Sequence, residues 1–390
     1  VSAITKWRGV LTIALWQIVA SLCYYSVFPA TDAFKADFGL SGVQVGFIVT
    51  TLTLGYTVFL FPAGALVDAY GDRPAMVGGL VGLALGASGV YFATSYPMLL
   101  VAVFVLGAAY STAMPATNIA VAERAPRGSY NLAVGIKQVG VTLGSALAAF
   151  VVAGLALFAL GWQFGFLIAA AVSAVIAVGF LTAYKGAPGS GEISFPDVRA
   201  LWGNRALMML AAGGFFVGAG VFTTTGYVVP YLESSTTATT AVASMVLGVT
   251  QLTGSAGRIG AGALADRIRG SAATASIRVL SWQSGLGAVT IAVIPLFGMP
   301  SAAVGFAILG VGLLGVTGLY HGALVALASA DQSGAATAAG QTTVNFGGLV
   351  VPPVFGYLAD TAGYAAGWYL LAACGALGVV CALIAGRLAD

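Results

Sequence analysis

Residues 64–68 read Gly-Ala-Leu-Val-Asp, and residues 262–266 read Gly-Ala-Leu-Ala-Asp. The pentad recurs 198 positions further on, in a chain of 390 residues. A repeat at half the chain length inside apolar sequence marks two related halves embedded in a membrane. Composition agrees: 7% of residues are charged and 59% hydrophobic, far from the roughly one quarter charged of soluble domains. The 55 glycines suit helices that must pack closely in lipid, where no hydrophobic drive holds them together.

Working outward from the pentads, apolar runs of membrane-spanning length predict twelve helices near 8–34, 43–69, 74–95, 97–122, 129–156, 160–184, 204–232, 240–266, 274–297, 301–329, 333–359 and 364–387. The expected fold is all-α and integral to the membrane, with twelve transmembrane helices in two pseudo-symmetric six-helix bundles. The first bundle is 1–184, the linker 185–203 and the second bundle 204–390. The linker contains Gly-Ala-Pro-Gly-Ser-Gly, a composition that resists regular structure. No lone leader stands out at the start, because the first apolar run is one of many.

Of fifteen Lys and Arg residues, Lys137 and Arg258 fall inside predicted helices. Among the others only Lys35 lies opposite the side carrying Arg73, Arg124, Arg127, Lys185, Arg267 and the rest. The positive-inside rule makes that side cytoplasmic, with both termini and the linker facing the cytosol. A prokaryotic cytoplasmic membrane fits this pattern.

The stretch Gly64-Ala-Leu-Val-Asp68-Ala-Tyr-Gly71-Asp72-Arg73 resembles the signature loop between helices two and three of the major facilitator superfamily, and Gly262-Ala-Leu-Ala-Asp266-Arg267 is a partial copy between helices eight and nine. The resemblance implies that Gly64, Asp68, Gly71, Arg73, Gly262, Asp266 and Arg267 form a conformational latch rather than a solute site. Helix four has Val103 where many proton-coupled members carry arginine. Helix five lacks the Gly-Pro pair of drug-export antiporters, although Gly140 and Gly144 offer a small-residue contact.

The carboxylates all fall in loops or near predicted helix ends. Arg258 precedes Asp266 by eight residues, roughly 12 Å along a helix, and Lys137 follows Arg127 by ten, roughly 15 Å. Both cations are therefore expected near the midplane, where an arginine or lysine costs at least about 2.5 kcal/mol and marks a pathway. At about 8 Å separation and an effective dielectric near 20 they would repel by about 2 kcal/mol, a penalty that a bound anion reverses. Arg258 offers a planar fork suited to carboxylate, and Lys137 a point charge.

Polar stripes at helical spacing supply further candidates for solute contact. Gln17, Ser21 and Tyr24 lie on helix one, Gln251 with Ser255 and Arg258 on helix eight, Thr317, Tyr320 and His321 on helix ten, and Gln341 with Asn345 on helix eleven. Tyr227 and Tyr231 on helix seven and Tyr110 on helix four could close over a ligand. His321, Lys137 and Asp32 are the proton-coupling candidates. An arginine eight residues before the acidic end of helix eight, with a second intramembrane cation, is similar to the oxalate/formate antiporter and monocarboxylate porter branches of the superfamily. There the second cation is typically on helix one or eleven, and here it is on helix five.

The expectation is a monomeric secondary transporter that moves a small organic anion, a mono- or dicarboxylate, by alternating access. Exchange for a counter-anion and proton-coupled symport both remain open. The competing expectation is a carrier or exporter of a neutral or drug-like solute. One histidine and three scattered cysteines, Cys23, Cys374 and Cys381, provide no catalytic constellation and no metal site. No enzyme activity, cofactor or nucleic-acid partner is expected; the lipid bilayer and the solute are the partners.

Overall fold

The computed structural model describes residues 3–126, 130–193, 195, 197–269, 271–329 and 332–389. Arg127, Asp331 and Asp390 lie outside the described residues. Among those described, the structure is helical: α1 Ala3–Tyr25, α2 Thr31–Phe38, α3 Gly42–Tyr70, α4 Asp72–Tyr91, α5 Tyr96–Tyr110, α6 Ala113–Arg124, α7 Tyr130–Leu157, α8 Gln163–Ala183, α9 Arg205–Ser235, α10 Thr240–Ala265, α11 Ala272–Val293, α12 Ser301–Leu309, α13 Val316–Leu327, α14 Ser333–Ala362 and α15 Tyr364–Ala389. With α5 and α6 sharing one span, and α12 and α13 another, these make twelve helical segments of membrane length among the described residues. Ten are long and apolar enough to cross a membrane. The other two, α10 and α14, are 26 and 30 residues long and more polar, because they carry Gln251 and Arg258, and Gln341 and Asn345.

The end of the first helix differs from the sequence expectation, and the fourth and tenth expected helices are each broken in two. The first helix ends at Tyr25, and Asp32 and Lys35 sit on a separate short helix, α2. The apolar run continues through Val27 and Phe28, so hydropathy alone carried the helix too far. Pro29 disfavours helical backbone at the residue before it, and the chain turns there.

By internal contacts the chain forms two units, Val1–Ala30 with Thr51–Phe195, and Thr31–Thr50 with Pro196–Asp390. In the first unit α1 packs on α7 and α4 on α8. In the second the corresponding pairs are α9 on α14 and α11 on α15. The same pairing of first with fifth and third with sixth span is the structural counterpart of the sequence repeat. α7 meets α1 at Gly140 and Gly144, against the Ala14 and Ile18 backbone, as their spacing implies. Trp16 Nε1 donates to Met76 O at 3.0 Å and Ser173 Oγ to Leu80 O at 2.9 Å, so buried polar groups are spent on tying helices together.

Prolines shape the second unit. Pro230 in α9 and Pro353 in α14 have no N–H, which leaves the carbonyl four residues earlier without its helical donor. Those oxygens are Gly226 O and Leu349 O. Thr31 Oγ1 donates to the first at 2.9 Å and Thr50 Oγ1 to the second at 2.6 Å. Residues 31–50 thereby satisfy these two proline-freed acceptors, as a low-dielectric interior requires.

Candidate functional site

The buried cation of the first unit is Lys137 on α7, which is 0% exposed. Its Nζ donates to Asn118 Oδ1 on α6 at 2.9 Å and approaches Met114 Sδ at 3.9 Å. No carboxylate is among its partners in the described residues. The break between α5 and α6 at 111–112 precedes Met114 and Asn118 and sets the face that α6 turns toward α7.

Close packing also gathers a polar and aromatic cluster in this unit. Gln17 Nε2 donates to Ser21 Oγ at 3.1 Å and to Tyr110 Oη at 3.3 Å, while Ser21 Oγ and Tyr110 Oη lie 3.0 Å apart. Tyr24 stacks on Tyr110 with ring centroids 4.2 Å apart, and Tyr56 meets both edge-on. The predicted stripe of Gln17, Ser21 and Tyr24 and the predicted Tyr110 thus come together; Tyr56 is an addition that the sequence reading missed. Its signal was weak, a tyrosine set among Thr50, Thr51, Thr53 and Thr57 of α3 with no amide or charge beside it.

In the second unit Arg258 Nε donates to Leu314 O at 3.1 Å. Gln251 is buried one helical stretch before it on α10. Asn345 is fully buried; its Oδ1 accepts from Gln341 Nε2 at 2.8 Å, and its Nδ2 has no partner among the described residues. Tyr320 reaches Ala211 O at 3.2 Å, Gly340 O at 3.3 Å and Thr343 Oγ1 at 3.3 Å, and its ring meets that of His321 edge-on at 5.1 Å. The Tyr227 hydroxyl lies between Gly42 O at 2.6 Å and Pro352 O at 3.0 Å, where it tightens helix packing. Asp32, in the first turn of α2, faces the carboxyl group of Glu233 on α9, which also meets Thr240. Glu233 escaped the sequence reading because it sits at a helix end and looks like an ordinary terminal charge. An apolar cleft of about 350 Å³ lined by Phe216, Leu313 and Leu371 contains none of the candidate polar residues.

The signature loop, Gly64–Arg73, runs from the last turns of α3 into the start of α4. The buried acceptor is Asp72, at 0% exposure, rather than Asp68. Asp72 Oδ2 accepts from the Tyr184 hydroxyl at 2.6 Å and pairs with Arg124 Nη1 at 3.3 Å, and Oδ1 accepts from the Ala187 N–H at 2.7 Å. The Arg124 guanidinium lies 4.7 Å over the Tyr184 ring and donates its other Nη to Lys185 O. Burial, then the hydrogen bond to Asp72 and its charge, push the Tyr184 phenol well above its ordinary range, with Arg124 pulling the other way. Tyr184 therefore stays a protonated donor.

The start of the linker is strapped across this turn. Ser190 N donates to Asp68 O at 2.7 Å and Gly191 N to Ala69 O at 3.1 Å, and Arg73 Nη2 donates to Leu181 O at 2.5 Å. Gly71 has φ +85°, and a Cβ there would lie 2.1 Å from Ala187 O; only glycine fits. Gly64 lies two turns earlier in α3 with open space around it. The second pentad has no such network among the described residues: Asp266 and Arg267 are exposed at the end of α10, joined by backbone bonds to Gly262 O and Leu264 O. Also among the described residues, no group of three or more His, Cys, Asp or Glu is placed to hold a metal ion.

The sequence pattern of the Major Facilitator Superfamily matches residues 13–352. A galacturonate transporter of Dickeya chrysanthemi is 28% identical over 180 residues, 46% of this chain and 52% of the relative. A hexuronate transporter of Escherichia coli (strain K12) is 29% identical over 182 residues, 46% of this chain and 41% of the relative. The chain thus spans about half the length, or less, of these curated relatives. Among solved structures, a bacterial homologue of the human lysosomal transporter Spinster, in an inward-facing and occupied conformation, superposes with a TM-score of 0.76 at 16% identity, covering 100% of this chain and 97% of the other. A fucose:proton symporter of Escherichia coli gives 0.66 at 17%, covering 99% of each chain. These two share the fold.

Proposed function

The chain belongs to the Major Facilitator Superfamily, a family of transporters rather than enzymes, and on that premise we propose that it carries a small organic anion across the cytoplasmic membrane by alternating access. The observation that carries this reading is Lys137, a fully buried ammonium held by a neutral amide and a thioether with no acidic partner in the described residues. A cation in that position is costly to bury and attracts a negatively charged solute. Arg258 is the second arm, a fork that suits carboxylate.

The names of the relatives, galacturonate and hexuronate transporters, favour an anion that is also a sugar. The cluster of Gln17, Ser21, Tyr24 and Tyr110 suits that chemistry, because aromatic rings cover the apolar faces of a sugar while amide and hydroxyl groups bond its hydroxyls. A smaller mono- or dicarboxylate would engage the same Lys137 and Arg258. Gln251, Tyr320, His321, Asn345 and Tyr227 are proposed as second-half contacts. His321, Lys137 and Asp32 are the proposed proton carriers, and Glu233, which Asp32 faces, is proposed to act with it. The strap over Asp68, Gly71 and Arg73, on the proposed cytoplasmic side with both termini and the linker, would stiffen one bundle as it rocks. Gly262, Asp266 and Arg267 are the proposed second part of that latch.

A neutral-solute carrier is the other reading, favoured by the same tyrosine cluster. Uptake into proteoliposomes separates the two: D-galacturonate, D-galactose, and short mono- and dicarboxylates are offered to purified protein, with and without a pH gradient or internal anion. Saturable flux of a carboxylate with little flux of the neutral sugar supports the anion reading. Flux of galactose equal to that of galacturonate removes it.

A further inference from the structure

Arg258 meets a stretch of backbone that leaves the α-helical register. Between α12 and α13 the residues Gly310–Leu314 form a π-turn, closed by a 3.0 Å bond from Gly315 N to Gly310 O. In an α-helix that N–H would serve Val311 O. The diversion leaves Val311 O in need of another donor, and π-turns of this kind recur at functional positions.

The donor comes from α11. Gln283 Nε2 donates to Val311 O at 2.9 Å and, with its second hydrogen, to Gly257 O at 3.2 Å. Gly257 immediately precedes Arg258, and Leu314, three residues beyond Val311, supplies the carbonyl that holds Arg258 Nε at 3.1 Å. One buried amide therefore ties together the two backbones between which the guanidinium is hung. Gly315 makes this possible, since a Cβ there would lie 2.4 Å from Val311 O and 2.5 Å from Gln283 Nε2.

We infer that Gln283 is a positioning residue for Arg258: its amide pins the π-turn at 310–314 to the α10 backbone at Gly257 and so fixes where the Arg258 guanidinium stands. The functional consequence rests on the reading of Arg258 as an anion clamp. The positional claim stands on its own geometry. Gln283 touches no solute in this account and acts through the arginine.

The test uses full-length protein in nanodiscs, labelled with ¹⁵N-arginine, with the Arg258 Nε–H resonance identified by its loss in Arg258→Lys. In Gln283→Leu, or in Gln283→Glu if the leucine variant is not monodisperse, exchange of that proton accelerates about tenfold or more. In proteoliposomes the KM for D-galacturonate rises about tenfold while the maximal rate stays within about twofold. Combined with Arg258→Lys, the two effects fall well short of additive, which a general loss of packing would not produce. Unchanged exchange and unchanged KM in a monodisperse variant overturn the inference. Wild-type flux in Arg258→Gln would instead remove the anion reading, and the exchange rate alone would then decide the positioning.

Discussion

Lys137 Nζ lies 2.9 Å from Asn118 Oδ1, so this fully buried cation is met by a dipole where a structural ion pair would put a charge. One atom separates the two designs. Asn118→Asp supplies a carboxylate at the same distance and gives Lys137 a permanent partner. The expected outcome is a protein at least as resistant to heat as the wild type in which anion uptake falls at least tenfold, because the site is already neutralised. Size-exclusion profiles, melting curves and initial uptake rates check both halves; wild-type uptake would contradict the assignment.

The strap at 185–191 makes a second prediction. Asp72 serves three donors while fully buried, and Asp72→Ala leaves Arg124 and Tyr184 facing each other without it. Removing one partner of a buried pair costs about 3 kcal/mol or more, reduced here because Arg124 remains 19% exposed. Gly71→Ala reaches the same contact from the backbone side, with a strained φ worth about 1 to 3 kcal/mol. Proteolysis of the linker should speed up in both variants, and an unchanged cleavage rate would refute the strap.

Thr31 and Thr50 bear on the proline-interrupted helices. Thr31→Val and Thr50→Val keep the shape of each side chain and leave Gly226 O or Leu349 O without a donor, at an expected cost of about 1 to 3 kcal/mol each. Replacing Pro353 by Ala restores the α-helical donor for Leu349 O and should make Thr50→Val nearly silent. Thermal unfolding of the four proteins measures this coupling directly.

Much of this architecture was legible in the sequence. Among the described residues, ten of the twelve spans declare themselves by length and apolarity. The end of α1 was overrun because hydropathy does not register a turn at Pro29. The site was less legible. A periodic stripe such as Gln17, Ser21 and Tyr24 reveals a face, but what meets that face depends on tertiary packing, and so Tyr56, Asn118 and Gln283 were invisible as partners. Asp72 stands in the signature motif beside Asp68, but sequence alone gives no sign that one of two nearby aspartates is buried.

Asp32 and Glu233 test proton coupling. If the pair carries the coupled proton, Asp32→Asn and Glu233→Gln each abolish stimulation of uptake by an inward proton gradient while solute exchange at equal pH persists. Gradient-driven uptake that survives in both variants would shift the role to His321 or Lys137.

On the proposed reading, Lys137 and Arg258 each meet negative charge on the solute. The most direct measurement of this is initial D-galacturonate uptake by the wild type, Lys137→Gln and Arg258→Gln, each reconstituted at equal density and shown to be monodisperse. Each substitution is expected to lower kcat/KM at least a hundredfold, the loss of roughly 2.7 kcal/mol of charge-assisted bonding. Uptake within a few-fold of the wild type in both variants would contradict it.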